Sequence, residues 1–486
     1  MIDAQSKVRL IKKLEDKKQF QNLKIFDIHI WPVIRLHFAK ISNFQNKNQK
    51  KILSTKKNYL KLLNFLFKSF FQKTKIVDVF AYSRSEDNIK DEDNNYYDKN
   101  LDSVIKKFRT ESQSIEKYIL YNNNSNELPN IEEVYHFSLL TYSTTNYILF
   151  RLSILFKLNI RKFKKEILFL NKFLDKNFKI DTNDMYKDLT IIYFYSKLFQ
   201  KILKKKKPKL VIVSCYYNLI GFSLIHAANK LNIPSVDVQH GICEPVHIMY
   251  NNWNYIPKKG YNILPNFFMS WGDKTADSIN FYFNNSPHKA VIGGKLDLNQ
   301  YKFDKNKSII IKKLKKIIGK DKKIILFTCS LRNIPENFYQ SIIELSKKNN
   351  CFFLIRFHPL HSFSYSEKLI NNLKKNKINC FDYKITSKAN IYDLLSISDF
   401  HFTGDSTVAY EALNFNIKSI IIEKEGKIFF SDYISKKIFI YTENFNEIVS
   451  IINNNINFKL DKNDRREYYI TNKVVNLSEL FDLNER

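Results

Sequence analysis

Apolar and polar positions follow two regimes along this chain. From Lys209 onward, short β-branched or aromatic runs alternate with helix-length polar segments, which is the signature of βαβ units and a parallel sheet. The first set of strands is expected at Leu210 to Tyr216, Ser235 to Gln239, Phe267 to Trp271 and Ala290 to Gly294. After a Lys- and Asn-rich connector near Leu298 to Lys307, a second set follows at Lys323 to Cys329, Cys351 to Phe357, Asn379 to Tyr383, Asp399 to Thr403 and Ser419 to Glu423. Upstream the pattern is helical. Leu10, Ile11, Leu14 and Phe20 form an imperfect helical stripe, and Pro32 opens a new helix. A strand is expected at Ile76 to Tyr82. The polar tract Ser85 to Lys99 reads as an exposed loop, and Leu101 to about Lys207 as mostly helix with one strand at Tyr118 to Tyr121. The fold class predicted is therefore α/β, with two Rossmann-like domains facing a central cleft and ligands at the carboxyl ends of their strands. The expected division is a helical extension over 1–75, a first domain over 76–300 and a second over 301–486.

Length supports two domains, because 486 residues exceed what a single core normally holds. Hydrophobic residues make up 44% of the chain and aromatics 15%, which excludes wholesale disorder. A formal charge of +31 favours an anionic partner: nucleic acid, a membrane surface or a phosphorylated substrate. The same excess of Lys, beside abundant Asn, Ile and Phe and only 9 Gly and 10 Pro, is also what AT-rich codon usage produces. Five cysteines without CxxC spacing give no zinc ribbon and no disulfide framework, and the opening residues carry no secretory signal, so a cytoplasmic protein is expected. No run is apolar enough to span a bilayer. Two aromatic-rich segments flanked by basic residues, Tyr59 to Phe71 and Tyr147 to Leu158, are suited to an anionic inner-membrane surface or, equally, to packed helices.

The chemistry-bearing residues fall at the expected strand ends. Arg356 and His358, with Pro359 fixing the turn, can meet a phosphate through a guanidinium fork and a ring N–H. Thr403, Gly404, Asp405, Ser406 and Thr407 lead into a helix, where Gly404 allows close approach and two hydroxyls stand beside helix-terminal amides; the plain alternative is a helix cap. Ser330 lies in the loop after the first strand of the second set. Glu411, one turn beyond Thr407, can reach a ribose hydroxyl or else sit on the surface. In the first set, His240 follows a strand in Gln-His-Gly and can take a proton from an attacking hydroxyl, with Glu244 in reserve. Asp273 and Lys295 stand at comparable positions and read as caps or solvated residues. Neither a Gly-x-Ser-x-Gly elbow nor a P-loop occurs, and no metal site is signalled.

Together the Gln-His-Gly turn, Trp271-Gly272-Asp273, Arg-x-His-Pro and Asp-Ser-Thr followed by Tyr-Glu-Ala resemble bacterial capsule and lipooligosaccharide glycosyltransferases of GT-B fold. The paired His-Pro and Ser/Thr strings are similar to those of sialyltransferases, Kdo transferases and CDP-glycerol polymerases. The Asp/Glu-Asp/Glu-Gly motif of the sialyltransferases is missing, and Asp-Ser-Thr replaces a Tyr-Ser-Ser type string of the polymerases. The likeness covers roughly Leu210 to Glu423. It implies a CMP- or CDP-linked donor, His358 on the donor phosphate or cytidine, Ser406 and Thr407 on the phosphate, and His240 as base. An inverting, metal-independent transfer needing no cofactor is the mechanism expected. The acceptor would be a glycan or glycolipid, chosen by the N-terminal 200 residues, which carry none of these motifs. A polyol-phosphate transferase, a nucleotide-sugar 2-epimerase and a non-catalytic membrane-surface component of glycan assembly are the alternatives; no nucleic-acid motif is present.

Overall fold

The computed structural model describes residues 4–16, 21–40, 75–84, 88–90, 96–110, 114–121, 134–138, 160–174, 178–243, 246–299, 301, 309–329, 336–347, 350–357, 363–454, 470, 475–476 and 478–481. The chain divides into two compact units, Met1–Asp297 with Thr471–Arg486, and Leu298–Ile470. The tail from 471 thus joins the first unit, where the sequence places it in the second. Val475 and Leu480 are buried there against Leu101, Val104, Phe108 and Leu296, so apolar contact decides its place.

The first unit opens with helix α1 (Ala4–Glu15), a short hairpin of β1 (Lys24–Ile25) and β2 (Ile28–His29), and α2 (Trp31–Lys40). A seven-stranded sheet follows: β3 (Val79–Arg84), β6 (Ile115–Tyr121), β7 (Val134–Ser138), β8 (Leu210–Val213), β9 (Ser235–Val238), β10 (Phe267–Ser270) and β11 (Lys289–Ile292). The intervening pair β4 (Asn88–Lys90) and β5 (Tyr96–Asp98) forms a separate antiparallel hairpin. It corrects the exposed loop expected over 85–99. Asp98 is fully buried, accepts from Ser83 Oγ at 2.6 Å, and takes the backbone N–H groups of Asn100 and Leu101 to start α3 (Leu101–Arg109).

The large sheet runs β11-β10-β9-β8-β3-β6-β7 with every pair parallel. Numbered within the sheet this is 3-2-1-4-5-6-7, a doubly wound order whose switch point lies between β3 and β8. Central strands such as β8 are buried along their whole length, which is why they read as continuous apolar runs in sequence. Helix α4 (Ile160–Asn171), α5 (Thr182–Lys206), α6 (Leu219–Lys230) and α7 (Asp273–Tyr282) complete the unit. Asp181 caps α5 through the N–H groups of Asn183 and Asp184, and three lysines in its last turn oppose the helix dipole favourably.

In the second unit, β12 (Lys323–Thr328), β13 (Cys351–Arg356), β14 (Phe381–Asp382), β15 (Phe400–Thr403), β16 (Ser419–Ile421) and β17 (Ile440–Tyr441) form a parallel sheet of order β14-β13-β12-β15-β16-β17. Its internal order, 3-2-1-4-5-6, is again doubly wound, with the switch point between β12 and β15. Helix α8 (Val408–Leu413) follows β15, and α9 (Lys424–Phe429) follows β16. No helix among the described residues is long and apolar enough to cross a membrane. The segments 59–71 and 147–158 lie outside the described residues.

One buried ion pair joins the N-terminal helices to the rest of the first unit. Arg35 of α2 is fully buried and donates to Glu15 Oε1 at 2.7 Å. Its other hydrogens reach the carbonyls of Ile248, Asn251 and Asn252, and its guanidinium lies 3.8 Å from the Trp253 ring centre. Glu15 also accepts from Trp31 Nε1 and from the Asn254 N–H, both at 2.7 Å. The described residues among 4–40 are therefore part of the unit: Ile11, Leu14, Trp31 and Ile34 belong to the same core as Tyr216 and Phe268. Removing one partner of such a pair strands a buried charge. Arg35→Met is expected to destabilise the protein by about 3–5 kcal/mol, and the double variant with Glu15→Gln by less than the sum of the singles, read from denaturant midpoints at constant m.

Burial also keeps several histidines neutral. It pulls His29, His226, His247 and His288 down to about 4 and His401 to about 3. In the unfolded chain these rings take protons near pH 6.5. The unfolded state therefore binds more protons below that pH, and stability present above pH 6.5 is lost on acidification toward pH 4. A melting-temperature profile should stay flat between pH 7 and about 8 and fall steadily between pH 6.5 and 4.

Candidate functional site

At the switch point of the first unit, the carboxyl end of β3 brings Arg84 beside the turn after β8, Cys215-Tyr216-Tyr217. Asn218 caps α6 by accepting from the Gly221 N–H, and a Cβ at Gly221 would stand 2.6 Å from the carbonyls of Cys215 and Tyr216. Only glycine lets the helix start so close to that turn. Asp237 of β9, almost fully buried, accepts from the Tyr216 N–H and from Tyr250 Oη, each at 2.8 Å. One carboxylate thereby fixes both the turn and the 246–254 segment.

His240 follows β9 and is half-buried. Gln239 shapes its turn by accepting from the Trp271 N–H and donating to the Gly241 carbonyl. Gly241 has no left-handed backbone, and a Cβ there would meet nothing within 4 Å. Among the described residues no packing contact requires that glycine. His240 Nε2 lies 3.1 Å from Tyr217 Oη, and the same hydroxyl is 3.4 Å from His247 Nε2. Sequence alone singled out neither Tyr217 nor His247. Glu244 lies outside the described residues. Lys295 is not solvated: it is buried, 3.1 Å from an Asp297 oxygen and 4.4 Å from the Trp271 ring centre. Asp273 is the first residue of α7, after the N-cap Gly272.

At the switch point of the second unit, Thr403 Oγ1 donates to the Thr328 carbonyl at 2.9 Å and accepts from the Ser406 N–H. His401, fully buried, bridges Thr328 Oγ1 and Ser419 Oγ at 2.9 and 2.7 Å, tying the ends of β12, β15 and β16 together. Ser406 Oγ accepts from the N–H of Val408, the first residue of α8, whose N-cap Thr407 makes no side-chain capping bond. Asp405, Ser406 and Thr407 remain half-buried. Glu411 is fully buried, which rules out the surface alternative for it.

Gly404 admits a protein group. A Cβ there would lie 2.2 Å from the carboxylate of Glu423, and a Cβ on Gly426 would lie 1.9 Å from the Gly404 carbonyl. The room left by the two glycines is filled by the start of α9. Arg356, half-buried, donates from Nη1 to the carbonyls of Thr386 and Ala389 at 3.1 and 2.5 Å, so part of its fork holds the 386–389 turn. Ser330, His358 and Pro359 lie outside the described residues.

Two Rossmann-like α/β units in one chain, as in GT-B proteins, follow from the two strand orders. No family model and no curated protein matches the sequence. Among solved structures, the chain is similar to the UDP-GlcNAc 2-epimerase of Neisseria meningitidis bound to UDP-GlcNAc, with TM-score 0.47 and 14% identity over 84% of this chain and 97% of that one. It is also similar to the UDP-GlcNAc 2-epimerase of Methanocaldococcus jannaschii, at 0.48 and 13% over 81% and 96%. A third likeness is to the α,α-trehalose 6-phosphate synthase of Burkholderia multivorans, at 0.45 and 9% over 85% and 96%. Likeness at this level says nothing about the reaction.

The glycine geometry makes a direct prediction. Gly404→Ala presses on a carboxylate that can swing aside, whereas Gly426→Ala presses on backbone. Gly426→Ala should therefore cost more stability than Gly404→Ala, which should fall in the range of about 1–3 kcal/mol for overpacking, as measured by thermal unfolding.

Proposed function

We propose that this protein is an enzyme of glycan assembly that transfers a sugar from a nucleotide-linked donor, CMP- or CDP-linked by its motifs, to a hydroxyl of a bacterial surface glycan or glycolipid. The observation that carries this reading is the coincidence of motif and topology. Gln239-His240-Gly241 follows the second strand beyond the switch point of one sheet, and Thr328, Arg356 and Thr403 to Thr407 cluster at carboxyl strand ends around that of the other. Crevices at such points are where doubly wound sheets hold ligands.

In this reading the second unit holds the donor. Ser330, His358 with its neighbour Pro359, Ser406, Thr407 and Arg356 take up charge developing on the leaving phosphate. The buried carboxylate of Glu411 is suited to hydroxyl donors such as a ribose diol, since carboxylates accept and repel phosphate. The first unit supplies His240 as the base for the acceptor hydroxyl, with Glu244 in reserve. Transfer is inverting and needs no metal or other cofactor. The net charge of +31 favours residence at the anionic cytoplasmic face of the inner membrane, where a glycolipid acceptor would lie.

Calorimetric titration of the full chain with CMP, CDP, UDP and GDP, without and then with magnesium, tests the donor assignment. Binding of CMP or CDP without metal is expected, weakened at least ~10-fold in His358→Ala, the scale of one charge-assisted hydrogen bond, and nearly unchanged in His240→Ala. Absence of binding to all four nucleotides would overturn it.

A further inference from the structure

We infer that Tyr217 is a catalytic residue that passes the acceptor's proton to His240, and that His247 is the positioning residue that holds the phenol for this task. The inference rests on His240 acting as the base. It begins with which nitrogen of that ring can serve. His240 Nδ1 is enclosed by protein, so Nε2 is the nitrogen left to receive a proton, and Nε2 points at Tyr217 Oη, 3.1 Å away. Tyr217 is itself half-buried and stands at the switch point of the sheet, where the turn after β8 meets the end of β3. In this relay the acceptor hydroxyl approaches the phenol, with the imidazole behind it.

A phenol can relay because it accepts at oxygen while it donates its own hydrogen. The acceptor O–H bond breaks, its proton goes to Tyr217 Oη, and the Tyr217 proton goes to His240 Nε2. The acceptor oxygen forms its bond to the donor's anomeric carbon. The bond from that carbon to the phosphate oxygen breaks, and the nucleotide phosphate leaves with the electron pair. Tyr217 ends as it began, and His240 ends as imidazolium. No oxidant or reductant enters.

Two features suit Tyr217 to relaying toward His240. Burial pushes the Tyr217 phenol well above its ordinary range, with Cys215, Cys243 and Asp237 adding to the rise and Arg84 opposing it, so the residue conducts protons without resting as phenolate. His247 Nε2 lies 3.4 Å from the same hydroxyl, yet burial holds that ring down at about 4, so it cannot compete as a proton sink. It serves as a fixed partner. The single phenolic hydrogen can go to only one of the two rings, so donation to His240 requires His247 to present Nε2–H to Oη. The Tyr217 ring is held by Tyr216, His247, Tyr250 and His240, with centroids 5.3 to 5.6 Å away.

The test uses the full chain with ¹⁵N-labelled histidine, assigned through His240→Gln and His247→Gln, and long-range ¹H–¹⁵N spectra of the ring nitrogens. Expected are His240 protonated on Nδ1 and His247 on Nε2, with both ring patterns changing in Tyr217→Phe. Ring signals unchanged in Tyr217→Phe would overturn the relay. In parallel, consumption of a panel of CMP- and UDP-sugars is followed. Tyr217→Phe and His240→Ala should each lower kcat by ~10²-fold or more with KM little changed, and the double variant should fall no further. Wild-type turnover with kcat retained in Tyr217→Phe overturns the relay alone. Intact ring coupling with no donor consumed by the wild type overturns the transferase reading, and the relay with it.

Discussion

The first unit depends on the guanidinium of Arg35. Taking a charge out of water is costly, and pairing with Glu15 offsets only part of that cost. The remainder is met because the guanidinium also satisfies carbonyls of Ile248, Asn251 and Asn252, which would otherwise be buried acceptors in an aromatic core. An apolar replacement of the pair would leave those carbonyls without hydrogen bonds. The same segment carries His247, whose ring contacts Tyr217, and Met249 and Tyr250, whose carbonyl and hydroxyl hold Tyr216 and Asp237. A contact near the N-terminus thus sets the geometry of a site built after β8 and β9.

The two sheets share a strand order but carry opposite chemistry at their switch points. The first presents neutral rings and a phenol, with Arg84 nearby. The second presents hydroxyls over carboxylates, with Glu411 fully buried and Glu423 nearly so beside the Thr403 to Ser406 turn. One topology has been fitted with two electrostatic environments by side chains alone, which is why fold cannot stand for function here.

Central strands from Lys209 onward were legible because they are buried and read as apolar runs; all nine strands expected there form, although β8 stops at Val213, short of Tyr216, the edge strands β11 and β14 are only partly buried, and β17 was not expected. Upstream, β7 and the β4–β5 hairpin were not, since Asp, Asn and Lys fill their surroundings and Asp98 is buried for its hydrogen bonds. Arg35 reads as a surface residue of a helix; nothing local marks it as buried. His240 was visible from its turn, but its partners were not: Tyr217 lies 23 residues away and His247 is brought back by the Arg35 clamp. Gly404 reads in sequence as a place of close approach, while the Glu423 carboxylate that lies beside it comes from the end of the next strand and has no local signal.

Burial explains which histidines can do chemistry. A ring enclosed on all sides loses its affinity for protons, and in exchange it holds a fixed tautomer that orders its neighbours. His401 does this for Thr328 and Ser419, and His247 for Tyr217. Proton transfer needs a ring with one enclosed nitrogen, for a defined tautomer, and one nitrogen turned toward the open side. His240 and His247 are both half-buried with an enclosed Nδ1, and of the two His240 stands in the turn directly after a strand.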